Sequence, residues 1–329
     1  MKRILPIILL ASLLLCCACG KAAQDEASYP LNVNSTPLDS EIFTYYLDQA
    51  VNTLPEGTQE EKINYAVQLC IHYVAVNSAF SDAATELLPV EKKETSEDTE
   101  IRWEIYGRYY SKIGVSKQTF AKIQLNERYV EKLREYYFGA GGAEEIPVTA
   151  LREYLDAHYV SFRTIRIPKK TVDVYGNEQD RDEAQENALR EKLTAGLSAI
   201  NENGTGIESV FATFVSDRNG DREEYSEVVT DGTDHAYSTE FVEAVRAIAV
   251  GTAAVLDYDD ALYLVYRENI QTDEDVFETY RAQCLEALSE SALRAKIDEI
   301  GKGYSSTVNQ PLAAECWNNY WNAVAKTNQ

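Results

Sequence analysis

The sequence predicts an α+β protein in which helices from both ends of the chain enclose a module of strands and helices. Apolar residues recur at helical spacing through most of residues 39–150 and again through 271–329, a pattern typical of amphipathic helices. Between these segments, residues 151–270 switch several times between strand-like alternation and helical spacing. This arrangement predicts an α+β module inserted into a helical domain, and it differs from a repeat array.

The first residues are typical of an export signal. Two basic residues precede an apolar run over residues 4–15, which is shorter than the about 20 apolar residues that span a bilayer. The run ends in the letters CACG, which resembles the lipobox of bacterial lipoproteins, where small residues precede an acylated cysteine. We expect residues 1–18 to be removed as a signal peptide and Cys19 to carry lipid that anchors the protein outside the bacterial cell membrane. An ordinary signal peptide cut near Ala23 is the alternative.

A polar segment and two helices follow the leader. Residues 19–38 contain two prolines and are predicted to be a tether. Asp39 or Ser40 can cap the first helix, because a side-chain oxygen there can accept a hydrogen bond from a free N–H of the first turn. A long second helix follows, and the charged residues 91–100 are predicted to be a solvated turn or a helix end.

Two further helices complete the N-terminal part of the helical domain, which we place at residues 39–150. Gly114 separates these helices, and Ser116 can cap the second one. The glycines of residues 139–145 are suited to ending that helix and connecting it to the module.

The period of the sequence changes at the start of the module. Residues 159–168 alternate and are rich in β-branched side chains, which predicts a strand. Two helices, a weak strand, a capped helix and two strands joined by an acidic turn follow, over residues 182–200, 206–214, 224–229, 238–248 and 252–270. The predicted order is therefore β-α-α-β-α-β-β. Residues 271–329 return to a long amphipathic helix and a short tryptophan-bearing helix, which we expect to pack on the helical domain.

Composition excludes one class of function and limits the disulfides. The chain has 31 Lys and Arg against 54 Asp and Glu, a net charge of −23, which disfavours nucleic acid because its phosphates require a basic face. The same charge attracts basic segments of unfolded chains. Beyond Cys19, the chain has Cys70, Cys284 and Cys316, with no C-x-x-C pair among them. A bridge between Cys70 and Cys284 and separately packed thiols are both open interpretations.

Several stretches of the chain together resemble a known family. Outside the module they are LDSEIFTYYL at the start of the first helix, IGVSKQTFAKI…ERYVEKL, and VTALREYLDAHYVSFRTIRIP; within the module they are IESVFATFVSD, STEFVEAVRAIAVGTAAV and ALYLVYRE. These patterns resemble the parvulin family of peptidyl-prolyl isomerases. The whole chain is similar to the extracytoplasmic PrsA/SurA-like foldases, in which a parvulin domain accompanies a helical chaperone domain. The resemblance implies a parvulin-like domain over residues 151–270 and a PrsA/SurA-like helical domain over 39–150.

The resemblance also implies a catalytic site, but one that lacks its histidines. Parvulins have one histidine on the first strand and one on the last, and these places fall on Thr164 and Tyr263. Asp217 matches an Asp or Cys of the family, although an Asp in the polar turn SDRNGD is an equally good interpretation. Rotation about an X–Pro bond meets a barrier of about 20 kcal/mol and requires no nucleophile. We therefore expect isomerase activity that is weak or absent, and whether the protein is an enzyme stays open.

The resemblance assigns substrate binding to apolar side chains. Tyr237 and Phe241 match the proline pocket of the family, and Phe214 is assigned with them. Ordinary core packing of a helix explains the same pattern for Tyr237 and Phe241, so the sequence leaves both interpretations open.

Other kinds of site lack support in the sequence. The three histidines have no metal-ligand spacing, the acidic turns lack the order of an EF-hand loop, and no phosphate-binding loop is present. We therefore expect no metal and no cofactor.

The sequence thus predicts a membrane-anchored foldase or chaperone that binds unfolded exported polypeptides. Eight tyrosines on the N-terminal helices suit weakly specific contact with such chains, although packing of the helical core explains about half of them. A non-catalytic binding or scaffold lipoprotein of envelope assembly is the alternative, and a dedicated enzyme comes third. The sequence specifies neither the clients nor the oligomeric state.

Overall fold

The computed structural model is an α+β structure that is rich in helix. It describes residues 28–173, 175–202, 206–215, 226–232 and 237–325. Two compact units divide the chain. The helical unit comprises Met1–Glu145 and Ser289–Gln329, and the mixed unit comprises Ile146–Leu288.

The helices and strands are numbered in chain order. The helices are α1 (Ser40–Thr53), α2 (Gln59–Asp82), α3 (Pro89–Lys112), α4 (Lys117–Phe138), α5 (Val148–His158), α6 (Glu183–Asn201), α7 (Ile207–Val215), α8 (Thr239–Ala247), α9 (Glu274–Lys302) and α10 (Gln310–Ala325). The strands are β1 (Leu31–Val33), β2 (Thr36–Leu38), β3 (Val160–Pro168), β4 (Lys170–Val172), β5 (Glu178–Asp180), β6 (Ser226–Thr230), β7 (Ala253–Asp257), β8 (Ala261–Arg267) and β9 (Ser306–Val308). Within the described ranges, no helix has both the length and the apolar character needed to cross a membrane.

Side-chain caps start α1 and α4 at the residues that the sequence predicts. Asp39 accepts a hydrogen bond from the N–H of Ile42 at 2.9 Å and so caps α1. Ser116 caps α4 in the same way. Inside the unit, α1 and α2 contribute fully buried side chains such as Phe43 and Cys70 to one apolar core.

The tether predicted over residues 19–38 is wrong for residues 31–38, which form part of a sheet. Strand β1 pairs antiparallel with β2 and with β9, so the sheet order is β2-β1-β9. Leu31 and Val33 are completely buried, and Asn34 and Ser35 turn the chain with φ of 48° and 63°. Burial of the two apolar side chains against the helical core explains why this polar stretch is folded.

The charged residues 91–100 are also not a turn, because they lie inside α3. Pro89 occupies the first turn of this helix, where its fixed φ is favourable. The Glu91 carboxylate accepts a hydrogen bond from the N–H of Leu88 at 2.5 Å, and Lys93 pairs with Glu97 at 3.2 Å one turn further on. Local capping and i,i+4 pairs therefore keep this hydrophilic segment helical.

The mixed unit contains a four-stranded antiparallel sheet with the strand order β6-β3-β8-β7. Helices α6 and α7 pack on one face of the sheet, and α8 packs on the other. A short hairpin, β4–β5, lies between β3 and α6, and the predicted order of elements omits it. The Asp173 carboxylate shapes the tip of this hairpin by accepting hydrogen bonds from the N–H groups of Tyr175 and Asn177 at 2.8 and 2.9 Å.

The start of α9 belongs to the mixed unit, although the sequence places a boundary at residue 270. The physical reason is a buried apolar cluster in which Phe277 and Cys284 of α9 pack with Leu151 and Leu155 of α5. Cys284 is a free thiol, as are Cys70 and Cys316, which are buried in the helical core. The bridge considered between Cys70 and Cys284 is therefore not formed.

Candidate functional site

One face of the four-stranded sheet carries most of the site residues predicted in the mixed unit. Successive side chains of a strand point to opposite faces, so Thr164 shares a face with Phe162 on β3. Thr164 pairs with Val265 of β8, and Arg166 pairs with Tyr263. Thr164 and Tyr263 therefore lie on neighbouring strands and on the same face, which is the face covered by α8.

Hydrogen bonds at both ends hold α8 on this face. Ser238 caps the first turn by accepting from the N–H of Phe241 at 3.2 Å. At the other end, the Arg267 guanidinium donates to the carbonyls of Arg246 and Ile248 at 2.5 and 2.8 Å. The guanidinium satisfies carbonyls that the end of a helix leaves free. Because both ends are fixed, the position of Phe241 on the sheet is fixed as well.

Four aromatic side chains meet at this place, and we call them the aromatic cluster: Tyr237, Phe241, Tyr258 and Tyr263. The Phe241 ring stacks on Tyr237 with centroids 5.0 Å apart and meets Tyr263 edge-on at 5.0 Å. Tyr258 lies 5.9 Å from Phe241 and 5.8 Å from Tyr263. These separations lie in the range at which aromatic pairs attract one another.

The cluster has a buried floor and a partly exposed rim. Phe241 is only 4% exposed, whereas the three tyrosines are half-buried. Burial raises the pKa of the Tyr258 hydroxyl, and the nearby charge of Glu240 adds to the effect. An apolar surface with hydroxyl groups at its edge can hold a proline ring or an aromatic side chain of a peptide.

Sequence reasoning missed Tyr258 as a member of the cluster. This residue lies in the acidic turn between β7 and β8, where its N–H donates to the carbonyl of Ala261 at 3.0 Å. A turn residue belongs to no strand alternation, so periodicity contains no signal for the direction of its ring.

The Thr164 side chain presents a buried hydroxyl group beside the cluster on the same face. Thr164 is 3% exposed, and its Oγ1 has no hydrogen-bond partner among the described residues. Ser161, the other buried hydroxyl of β3, donates instead to the Glu268 carboxylate at 2.9 Å. A buried hydroxyl without a partner costs about 1–3 kcal/mol, and a ligand can satisfy it only when the side chains that cover it move aside.

The structure separates Phe214 from the other predicted binding residues. Phe214 is completely buried in the cluster on the opposite face of the sheet, where it packs with side chains such as Ile165 and Leu193. It belongs to the core because α7 turns its apolar side toward that face. Asp217 and Cys19 lie outside the described residues.

The helical unit contains a separate concave surface, which we call the helical groove. Its volume is about 540 Å³, and it lies between α2, α4 and the end of α9. Leu69, Val130 and Leu293 are among its apolar lining residues, and Arg294 and Asp298 are among its charged ones. At Gly301, an added Cβ would lie 3.0 Å from the Ile71 side chain, so the glycine allows α9 to approach α2 closely.

The tyrosines of the helical unit divide between core and surface. Tyr45 is buried in the core and stacks on Tyr110 at 5.4 Å, whereas Tyr106 and Tyr136 are about half exposed, at 53% and 47%. In the part of the chain that the structure describes, no group of three His, Cys, Asp or Glu side chains is placed to hold a metal ion.

Comparison with known proteins finds similar solved structures, among them two PrsA foldases. No protein-family model matches the sequence, and no curated protein matches it. The foldase protein PrsA from Streptococcus pneumoniae is 13% identical, with 86% of this chain and 90% of that chain covered and a TM-score of 0.31. PrsA from Bacillus subtilis is 11% identical, with 78% and 87% covered and a TM-score of 0.29.

Proposed function

We propose that this protein is a membrane-anchored extracytoplasmic foldase or chaperone that binds unfolded exported polypeptides, with prolyl isomerase activity that is weak or absent. The observation that supports this proposal is the aromatic cluster with the Thr164 hydroxyl beside it on one face of the sheet. An unfolded chain offers apolar side chains and unpaired backbone groups, and this face offers a complementary surface for both.

The chemistry of the face explains why we expect little isomerase activity. A catalyst of X–Pro rotation must bind the twisted imide more tightly than the planar one. The half-buried ring of Tyr263 can pack against a proline above the Phe241 floor, and the Thr164 hydroxyl can donate one hydrogen bond to a peptide carbonyl once the side chains that cover it move aside. The imidazole pair expected from the parvulin resemblance is replaced by Thr164 and Tyr263. The apolar contacts that bind a peptide are therefore retained, whereas the polar groups that would stabilise the twisted imide are fewer.

The helical groove supports a second contact with the same kind of client. Its apolar lining can take the side chains of an exposed segment, and its charged residues keep the empty groove hydrated. The net charge of −23 favours the approach of basic segments. Acylation of Cys19 would hold both surfaces at the membrane where exported chains emerge.

The first experiment measures three activities of the purified protein: acceleration of cis–trans exchange in X–Pro peptides, binding of the same peptides, and delay of the aggregation of an unfolded client. Peptide binding should weaken in Tyr263→Ala and remain in Tyr175→Ala. The control removes the same side chain from the tip of the β4–β5 hairpin, where Tyr175 is 87% exposed.

The outcomes separate the candidate functions. Acceleration that is lost in Asp217→Ala would show a working isomerase that manages without histidines. Delayed aggregation without acceleration would show a chaperone. A protein that neither accelerates exchange nor delays aggregation would contradict the proposal and favour the scaffold lipoprotein.

A further inference from the structure

Helix α3 exposes apolar side chains on its solvent side and buries polar or small ones on its inner side. Ile101 is 57% exposed and Ile105 is 64% exposed, one helical turn apart. Thr99 and Gly107 are buried on the opposite side, and a Cβ at Gly107 would lie 2.5 Å from the Trp103 ring. Gly107 thus leaves room for the Trp103 ring of the same helix, which packs against the apolar core on the inner side of α3, and the two isoleucines are left for another contact.

The residues around the two isoleucines follow the spacing of a coiled-coil seam. The exposed side of α3 carries residues separated by alternate steps of four and three: Glu94, Asp98, Ile101, Ile105, Arg108 and Lys112. Side chains with this 3.5-residue period form one stripe along a helix and pack against a second helix. We call this stripe the α3 seam, and all six of its residues are exposed.

The charges of the α3 seam are arranged symmetrically about its centre. Two acidic residues precede the isoleucines, and two basic residues follow them. When two such helices run antiparallel with Ile101 opposite Ile105, Glu94 lies opposite Lys112 and Asp98 lies opposite Arg108. A parallel pair would instead place like charges opposite each other, which is unfavourable. The seam is therefore complementary to an antiparallel copy of itself.

We propose that the α3 seam is a docking surface for a second copy of this chain, in which two α3 helices pack antiparallel across a two-fold axis. Such an interface is isologous, so each contact occurs twice. The contacts from Glu94 to Lys112 extend over about 27 Å of helix, which corresponds to a small interface and a reversible dimer. Within one chain, Glu94 already lies 3.9 Å from Arg128. A separation of 3.9 Å makes this a weak ion pair, so the Glu94 carboxylate can also pair with Lys112 of the second copy.

Sedimentation measurements test this proposal. They use the full-length chain in a non-ionic detergent over a range of protein concentrations. We expect a monomer–dimer equilibrium at moderate salt, where the repulsion between two chains of net charge −23 is screened more than the close ion pairs of the seam are. Ile105→Glu should weaken dimerisation by at least about tenfold, because the buried charge occurs twice in the dimer. Val148→Glu introduces the same charge at a residue of the mixed unit that is 42% exposed, and it should leave the equilibrium unchanged. Circular dichroism checks that each variant is folded.

A charge exchange tests the antiparallel arrangement itself. Asp98→Arg and Arg108→Asp should each weaken the dimer, since each places like charges opposite one another. The double variant should restore dimerisation to within about threefold of the original, because both ion pairs re-form with reversed sign. The proposal is overturned by a protein that stays monomeric at every concentration, by a dimer that Ile105→Glu does not affect, or by a double variant that remains as weak as the single ones. The proposal is likewise overturned if Ile105→Glu impairs client protection while the wild type is monomeric, since the seam would then bind clients.

Discussion

Replacement of Thr164 by valine tests whether the buried hydroxyl is maintained for binding. Valine keeps the β-branched shape that a strand favours and removes an Oγ1 that has no partner among the described residues. The unsatisfied hydroxyl costs about 1–3 kcal/mol, so Thr164→Val should stabilise the mixed unit by about 1–2 kcal/mol. The same change should weaken the binding of X–Pro peptides, because valine has no hydroxyl to donate a hydrogen bond to the peptide carbonyl.

Amide hydrogen exchange is a suitable assay for this prediction. The three tryptophans of the chain all lie outside residues 146–288, so tryptophan fluorescence does not report on the mixed unit. Exchange in β3 and β8 reports the free energy of opening of this sheet directly. A gain of about 1–2 kcal/mol slows exchange by about 5- to 30-fold.

A matched control is present on the same strand. Ser161 is as buried as Thr164, but its hydroxyl donates to Glu268 at 2.9 Å. Ser161→Ala should therefore destabilise the sheet by about 1–2 kcal/mol, which is the opposite sign. If Thr164→Val destabilises the sheet as Ser161→Ala does, the Thr164 hydroxyl has a partner in the folded protein and the reasoning is wrong.

Three further predictions concern single side chains. Burial alone would raise the pKa of the Glu91 carboxyl, but the hydrogen bond from Lys132 at 2.8 Å and other partners lower it below 4.5. Its stabilisation is therefore present above pH 4.5 and lost as the pH falls further. Glu91→Gln should lower the free energy of unfolding by about 2 kcal/mol at pH 7. Thermal melts at a series of pH values should show that this variant loses less stability on acidification than the wild type does. Tyr320→Phe removes a 2.9 Å hydrogen bond to the buried Asp48 carboxylate, and urea unfolding followed by tryptophan fluorescence should show a loss of about 1.5–3 kcal/mol; an unchanged midpoint contradicts this. Phe241→Ala should lower the stability of the mixed unit by about 3–5 kcal/mol, measured by exchange in β3, and unchanged exchange would show that the ring is not part of the core.

Two hydrophilic segments show which structural features can be predicted from the sequence and which cannot. Residues 91–100 and 31–38 both look like solvated connections by composition. The first is held in α3 by capping and i,i+4 pairs, which are local and could have been recognised. The second is held by pairing of β1 with β9, and these strands come from opposite ends of the chain. No local pattern indicates that pairing.

The candidate site divides in the same way. Strand alternation and the resemblance together place Thr164, Tyr263 and Phe241 in elements that do meet on one face. The same reasoning assigned Phe214 to that face, whereas the structure buries it on the other, because the packing of α7 against the sheet depends on long-range contacts. Tyr258 joins the cluster through a turn, and the direction of a turn side chain is set by the strands on both sides.

The sequence by itself predicted most of the helices, the caps at Asp39 and Ser116 and the longer strands of the mixed unit, and its composition gives the acidic charge, while the lipid anchor stays a prediction. Each of these depends on residues that are close together in the chain, so spacing and composition are sufficient. Only the tertiary structure decided that the Thr164 hydroxyl has no partner in the described chain, that three cysteines are separate buried thiols, and that the α3 seam faces solvent. Burial and the satisfaction of hydrogen bonds are properties of neighbours in space, and those neighbours are brought together only when the chain folds.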